Sequence, residues 1–209
     1  MMELRPPQPP CLEEFEHVNR YWDRAHETWA AKILPGEYYV TMHPDEVIAT
    51  TLGSCVSACI RDKSLGIGGM NHFMLPLKGE HSTDDWLGTA TRYGNYAMEH
   101  LINDILKHGG SRQNLEVKLT GGGKIVANMS DVGAKNIKFV LDYLALENID
   151  VVIQDLGDIY PRKVLYWPNT GRLRVKRLNT LHNDTLVKRE ETYRHELEVQ
   201  PDSGSVELF

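Results

Sequence analysis

The sequence predicts an α+β fold, a layered α/β sandwich with mixed or antiparallel strands and two long helices, and three observations carry that reading. Short β-type runs recur along the chain, two broad apolar stripes at helical spacing interrupt them, and the last two β-type runs are joined by a tight turn. A hairpin mixed with long helices points to layered α+β packing and away from a doubly wound parallel sheet. With 209 residues the chain is long enough to bury one real core.

Taken in order, residues 1–35 read as a proline-rich segment and an amphipathic helix. Four of the first ten residues are proline, and Leu12, Phe15, Val18, Trp22, Ala25, Trp29 and Ile33 follow at steps of three or four up to Pro35-Gly36. From Gly36 the pattern turns to β: Tyr38 to Thr41, then Val47 to Leu52. A short helix from Ser54 to about Arg61 is expected next, then a strand around Ile67 to Leu75. Tyr93, Ala97, Met98, Leu101, Ile102 and Ile105 mark the first long helix, closed by Gly109, which suits a left-handed cap. A strand from Leu115 to Leu119 enters Gly121-Gly122-Gly123. The second long helix carries Val132, Ile137, Val140, Leu141 and Leu144, with Ser130 and Asp131 as candidate caps. Strands at Val151–Ile153, Lys163–Trp167 and Leu173–Lys176 complete the domain, the last two joined through Pro168-Asn169-Thr170-Gly171. The domain therefore runs over 36–178. Residues 179–209 hold seven acidic and three basic side chains and read as an acidic, solvated tail.

Composition removes several classes of function. A formal net charge of −6 with no basic stripe argues against nucleic acid as a partner. Three cysteines, Cys11, Cys55 and Cys59, are too few for a disulfide scaffold and lack paired zinc spacing. No signal-like or membrane-spanning apolar run occurs, so a cytoplasmic protein without membrane insertion is expected. Gly121-Gly122-Gly123-Lys124 matches neither nucleotide-binding fingerprint, and reads instead as a place where backbone approaches backbone or a substrate. No cofactor and no metal are expected. A set of Cys55, Cys59 and His72 offers zinc-type donors, but Asp62 is the one obvious further ligand.

The chemistry concentrates on Cys55 in Thr50-Thr51-Leu52-Gly53-Ser54-Cys55-Val56 and on His72, seventeen residues later in Gly69-Met70-Asn71-His72-Phe73-Met74-Leu75-Pro76. A turn at Gly53 followed by Ser54 as a cap places the sulfur at the start of the expected short helix, where orphan amides favour a thiolate. An imidazole beside such a thiol can take its proton and return it to a leaving amine. Alternation in the second segment puts Met70, His72 and Met74 on one side of the strand.

Leu52-Gly53-Ser54-Cys55-Val56, Gly68 to Pro76, Gly121-Gly122-Gly123, Val132-Gly133-Ala134-Lys135-Asn136 and Asp155-Leu156-Gly157, in this order and spacing, resemble the CheD family of chemoreceptor glutamine deamidases. The resemblance covers about 36–178. It implies the layered sandwich shared with glutamine-deamidating toxins. It also implies a cysteine amidohydrolase that converts glutamines of methyl-accepting chemotaxis receptors to glutamate, with release of ammonia. On this reading Cys55 is the nucleophile, His72 the general base and acid, and a threonine shortly before the cysteine orients the histidine. Ala49 occupies the ungapped position, so a one-residue shift gives Thr50, with Thr51 as second choice. Ser54 and Asn71 are candidate oxyanion or supporting residues, beside the Cys55 amide. Receptors are the implied protein substrate and a phosphatase-type chemotaxis regulator a further partner. The alternative is a receptor adaptor of the same fold in which catalysis is secondary or lost.

Overall fold

Two five-stranded mixed sheets lie face to face in the computed structural model, which describes residues 5–76, 86–125, 132–178 and 184–199. The first sheet contains β1 (Asn19–Asp23), β2 (Thr28–Lys32), β4 (Glu46–Leu52), β9 (Arg162–Trp167) and β10 (Arg172–Arg177), in that spatial order. The second has the order β3 (Tyr38–Thr41), β6 (Gly68–Asn71), β5 (Val56–Asp62), β7 (Leu115–Gly121) and β8 (Val151–Leu156). β2 runs parallel to β4 and β7 parallel to β8, and the other pairs are antiparallel. Two long helices, α1 (Trp86–Lys107) and α2 (Val132–Leu146), cover the second sheet, with Met98, Leu101, Ile102 and Ile105 buried along α1. The capping pair Ser130 and Asp131 lies outside the described residues.

Alternation assigns the faces. On β4, Ile48 and Leu52 point into the core shared by the two sheets, whereas Val47 and Ala49 join a smaller cluster with Ala30 and Leu165 on the other side. Thr50 therefore faces inward and Thr51, half-buried, faces outward.

Three expectations are corrected. Residues 12–33 form a single 3₁₀ turn (Glu13–Phe15) and the hairpin β1–β2, not a helix. The steps of three and four arise because Phe15, Val18, Trp29 and Ile33 are buried by different elements, and β2 is covered on both faces, so it shows no alternation. The β1–β2 turn lacks Gly and Pro. Its shape comes from Asp23, whose carboxylate accepts from the amides of Ala25 and His26, and from Glu27 in the left-handed region at φ 49°. Second, Ser54–Arg61 is not a helix: β5 is a central strand whose small, buried residues Ser57, Ala58 and Cys59 hide the period of two. Third, the acidic tail is not wholly solvated, because Asp184–Val199 forms a helix, α3, that packs on the domain through Leu186 and Glu190.

Candidate active site

The chain passes from one sheet to the other between β4 and β5, and Cys55 lies in that crossing. Leu52 ends β4, Gly53 and Ser54 turn, and Val56 opens β5. The thiol therefore has no helix dipole behind it. What holds the crossing in place is the triple glycine that begins with the last residue of β7. The Gly122 amide donates to Cys55 O at 2.7 Å and the Gly123 amide to Gly53 O at 2.8 Å. A Cβ on Gly121, at φ 117°, would collide with Cys55 O, so glycine is required there by both space and conformation. Asn136 on α2, in another of the segments quoted above, ties both halves together: its amide donates to Ser54 O at 3.0 Å, and its carbonyl accepts from Leu75 N at 2.9 Å.

His72 follows β6 and reaches across to the opposite sheet. Its Nδ1 lies 2.8 Å from Thr50 Oγ1, and Thr50 Oγ1 donates its proton to Ile33 O at 2.9 Å. A hydroxyl has one proton, so Oγ1 must accept from Nδ1–H. That assignment leaves Nε2 unprotonated, with its lone pair free. Nε2 is buried and, among the described residues, has no hydrogen-bond partner. Burial, aided by the charge of Arg189, lowers the His72 pKa from 6.5 to about 3, so the ring is neutral.

Cys55 Sγ, a His72 ring nitrogen and a Glu190 carboxylate oxygen all lie within 4.8 Å of one another. The Cys55 thiol is pushed well up, first by burial and then by the Glu190 carboxylate, so it is protonated here. Cys, His and Glu are donor types that zinc accepts. The Glu190 oxygens are already engaged: Oε1 accepts from the amides of Gly53 at 2.7 Å and Ser54 at 3.1 Å, and Oε2 from Ser54 Oγ at 2.7 Å. The cluster is thus closed by hydrogen bonds within the protein.

Other sequence-derived candidates sit as follows. Asn71 does not face the thiol: its Oδ1 accepts from Ala58 N at 2.8 Å and its Nδ2 donates to Ala97 O at 3.1 Å, so it bolts β5 to α1 and is no oxyanion donor. Ser54 lies beside Cys55 and donates from its amide and hydroxyl to Glu190. Cys59 is buried within β5, where burial raises its pKa, and Asp62 caps the β5–β6 turn by accepting from Ser64 and Leu65 amides. Glu190 carries no pattern that marks it in a single sequence, and Asn136 lies in a quoted segment that assigns it no role; both act through long-range contacts.

What the fold and these neighbours define is an α+β sandwich protein with a cysteine–histidine–threonine centre built where its two sheets exchange the chain. Comparison with known proteins narrows that class. A family profile described as CheD chemotactic sensory transduction matches residues 74–177. The chain is 58% identical over 204 residues to a probable chemoreceptor glutamine deamidase CheD of Halorhodospira halophila, covering 96% of this chain and 94% of the relative. A protein with the same description from Hahella chejuensis is 52% identical, with 97% of each chain covered, and one from Methylobacillus flagellatus is 53% identical, covering 95% and 98%. This chain belongs to the CheD family. No helix among its described residues is long and apolar enough to cross a membrane.

The neutral, buried imidazole has a consequence for stability. Folded His72 titrates at about 3 against 6.5 when free, so between those values the unfolded chain binds a proton that the folded chain does not. The stabilisation is complete above the unfolded value and is lost as pH falls through the window, with a slope approaching about 1.4 kcal/mol per pH unit. Urea midpoints at neutral and mildly acidic pH should show this slope in the wild type and a shallower one in His72→Asn. Equal slopes would show that another group carries the acid sensitivity.

Proposed function

We propose that this chain is a protein-glutamine deamidase that hydrolyses specific glutamine side chains of methyl-accepting chemotaxis receptors to glutamate. Family membership supports the substrate class, and the names of the relatives are those of chemoreceptor glutamine deamidases. The single observation that carries the mechanism is the place of Thr50 Oγ1 between Ile33 O and His72 Nδ1, from which the His72 tautomer is assigned. With Nδ1–H given to Thr50, the bare Nε2 is the atom available to a thiol.

Nε2 takes the Cys55 proton as the sulfur attacks the carboxamide carbon, and the resulting oxyanion is received by the amides of Gly53, Ser54 and Cys55. The imidazolium then gives its proton to the departing nitrogen, ammonia leaves, and a thioester remains. Water attacks the thioester while Nε2 removes its proton. Collapse returns that proton to sulfur and frees glutamate. Thr50 does not touch the reacting atoms; it holds the ring in the tautomer these steps need.

The test is incubation with receptor cytoplasmic fragments, reading each glutamine by mass spectrometry for exchange of its amide nitrogen for oxygen. Conversion at particular glutamines is expected. Binding without conversion would favour the adaptor reading. Thr50→Ala should lower kcat by roughly ten- to a hundredfold, on the scale of lost support for a working residue, and flatten the pH dependence of the rate. Thr51→Ala, on the outward face, should stay within about twofold, since surface changes rarely cost more than ~0.5 kcal/mol. Equal losses in the two would remove Thr50 from its positioning role.

A further inference from the structure

Helix α3 takes no part in the steps proposed above, yet it reaches the groups that carry them. Leu186, Glu190 and Tyr193 recur at helical spacing on its inner face. Leu186 is 4% and Glu190 3% exposed, and the Tyr193 hydroxyl bonds that of Tyr93 on α1. Its opposite face, with Thr185, Lys188, Glu191 and Glu196, is exposed. Beneath it Cys55 is 0% and His72 1% exposed. No glutamine carried on another protein can reach the thiol while α3 stays where it is.

Glu190 does not merely plug the opening. Its side chain is the chemical product of glutamine hydrolysis. Its oxygens accept from the Gly53 amide at 2.7 Å, the Ser54 amide at 2.9 and 3.1 Å, the Cys55 amide at 3.5 Å and the Ser54 hydroxyl at 2.7 Å. Successive amides converging on one carboxylate make an anion site, and these are the donors assigned above to the oxyanion. Gly53 is part of the fit: a Cβ there would lie 2.7 Å from Glu190 Oε1. Burial first, and this carboxylate second, push the adjacent thiol's pKa up, so the seated helix both covers the thiol and works against its ionisation.

We infer that α3 is an intramolecular product mimic, with Glu190 seated where the glutamate product lies, and that the site opens to receptor only when this helix leaves. The inference rests on the deamidase reading for the identity of the product. It assigns the tail a regulatory role on the same groups, by competition of a tethered carboxylate with a substrate carboxamide for one set of amides.

Three full-length variants test it. In Glu190→Gln the chain presents a substrate in place of the mimic. Position 190 should revert to glutamate with loss of ammonia, by first-order kinetics independent of protein concentration. It should stay glutamine in the Glu190→Gln/Cys55→Ser double variant. In Glu190→Ala and Leu186→Asp, alkylation of Cys55 by iodoacetamide, read by peptide mass spectrometry, should quicken by roughly tenfold or more relative to wild type, as expected when a covered thiol is exposed and freed of a neighbouring anion. If receptor glutamines are converted but the glutamine introduced by Glu190→Gln persists, or alkylation is the same in all chains, the product-mimic reading falls and the deamidase reading stands. If alkylation quickens while neither the introduced glutamine nor any receptor glutamine changes, the closure by α3 is supported and the deamidase reading falls.

Discussion

The Cys55→Ser variant is expected to fold, to bind receptor fragments and to convert their glutamines at a rate lower by on the order of a thousandfold or more. The site offers serine the same space, since Cys55 is fully buried in a crossing whose backbone is held by Gly122 and Gly123. What it does not offer is a strong base. Burial makes His72 a poor proton acceptor, with a pKa of about 3, which leaves it able to assist a thiol in the developing transition state but far from able to ionise an alcohol. The measurement is single-turnover deamidation by mass spectrometry, with a urea midpoint alongside to show that stability has moved by less than about 1 kcal/mol. A serine variant that keeps more than about a tenth of the rate would remove covalent catalysis by sulfur from the mechanism.

The second large effect is expected at His72. His72→Asn keeps a donor that can reach Thr50 Oγ1, so the inter-sheet contact survives, but it deletes Nε2, the group that moves every proton in the proposed sequence. A fall comparable with that of Cys55→Ser is expected. The decisive comparison is the double variant. Groups that act as a unit are grossly non-additive, so Cys55→Ser/His72→Asn should be no slower than the worse single variant. Two losses that multiplied would mean that the residues act in separate steps, and the thiol–imidazole pairing would have to be abandoned.

Much of this is legible in the chain itself, and what is not has physical reasons. The β9–β10 hairpin and both long helices follow from turn chemistry and periodicity, β10 and the helices each having one covered and one open face, whereas Tyr38–Thr41 and Val47 to Leu52 are legible as runs of aromatic and β-branched residues although both are buried almost throughout. β2 and β5 stay hidden because, besides being buried on two faces with no period of two to display, they carry small residues, Ala30 and Ala31 in one and Ser57, Ala58 and Cys59 in the other, in place of a β-branched run. At the site, alternation groups His72 with Met70 and Met74 on one face, and the threonine comes from the family resemblance, with Thr50 taken ahead of Thr51 by a one-residue shift from Ala49. That Thr50 and not Thr51 meets the imidazole is a matter of which face of β4 looks at the second sheet. Glu190 lies beyond reach altogether: it contacts Gly53 across 137 positions, and a glutamate in a charged helix looks the same in sequence whether it faces water or a thiol.

The passage of the chain between the sheets at Cys55 also makes the centre a gauge of the whole sandwich. Sulfur, imidazole and threonine hydroxyl are anchored to two separate slabs, joined here through the crossing, through the contact of Thr50 with His72 and through the Gly123 amide on Gly53 O. A slip of one slab over the other by a fraction of an ångström changes their separation without unfolding anything. Substitutions at the seam, among residues such as Ile48, Met70 or Tyr166 and far from any substrate, would then register first as lost turnover and only later as lost stability.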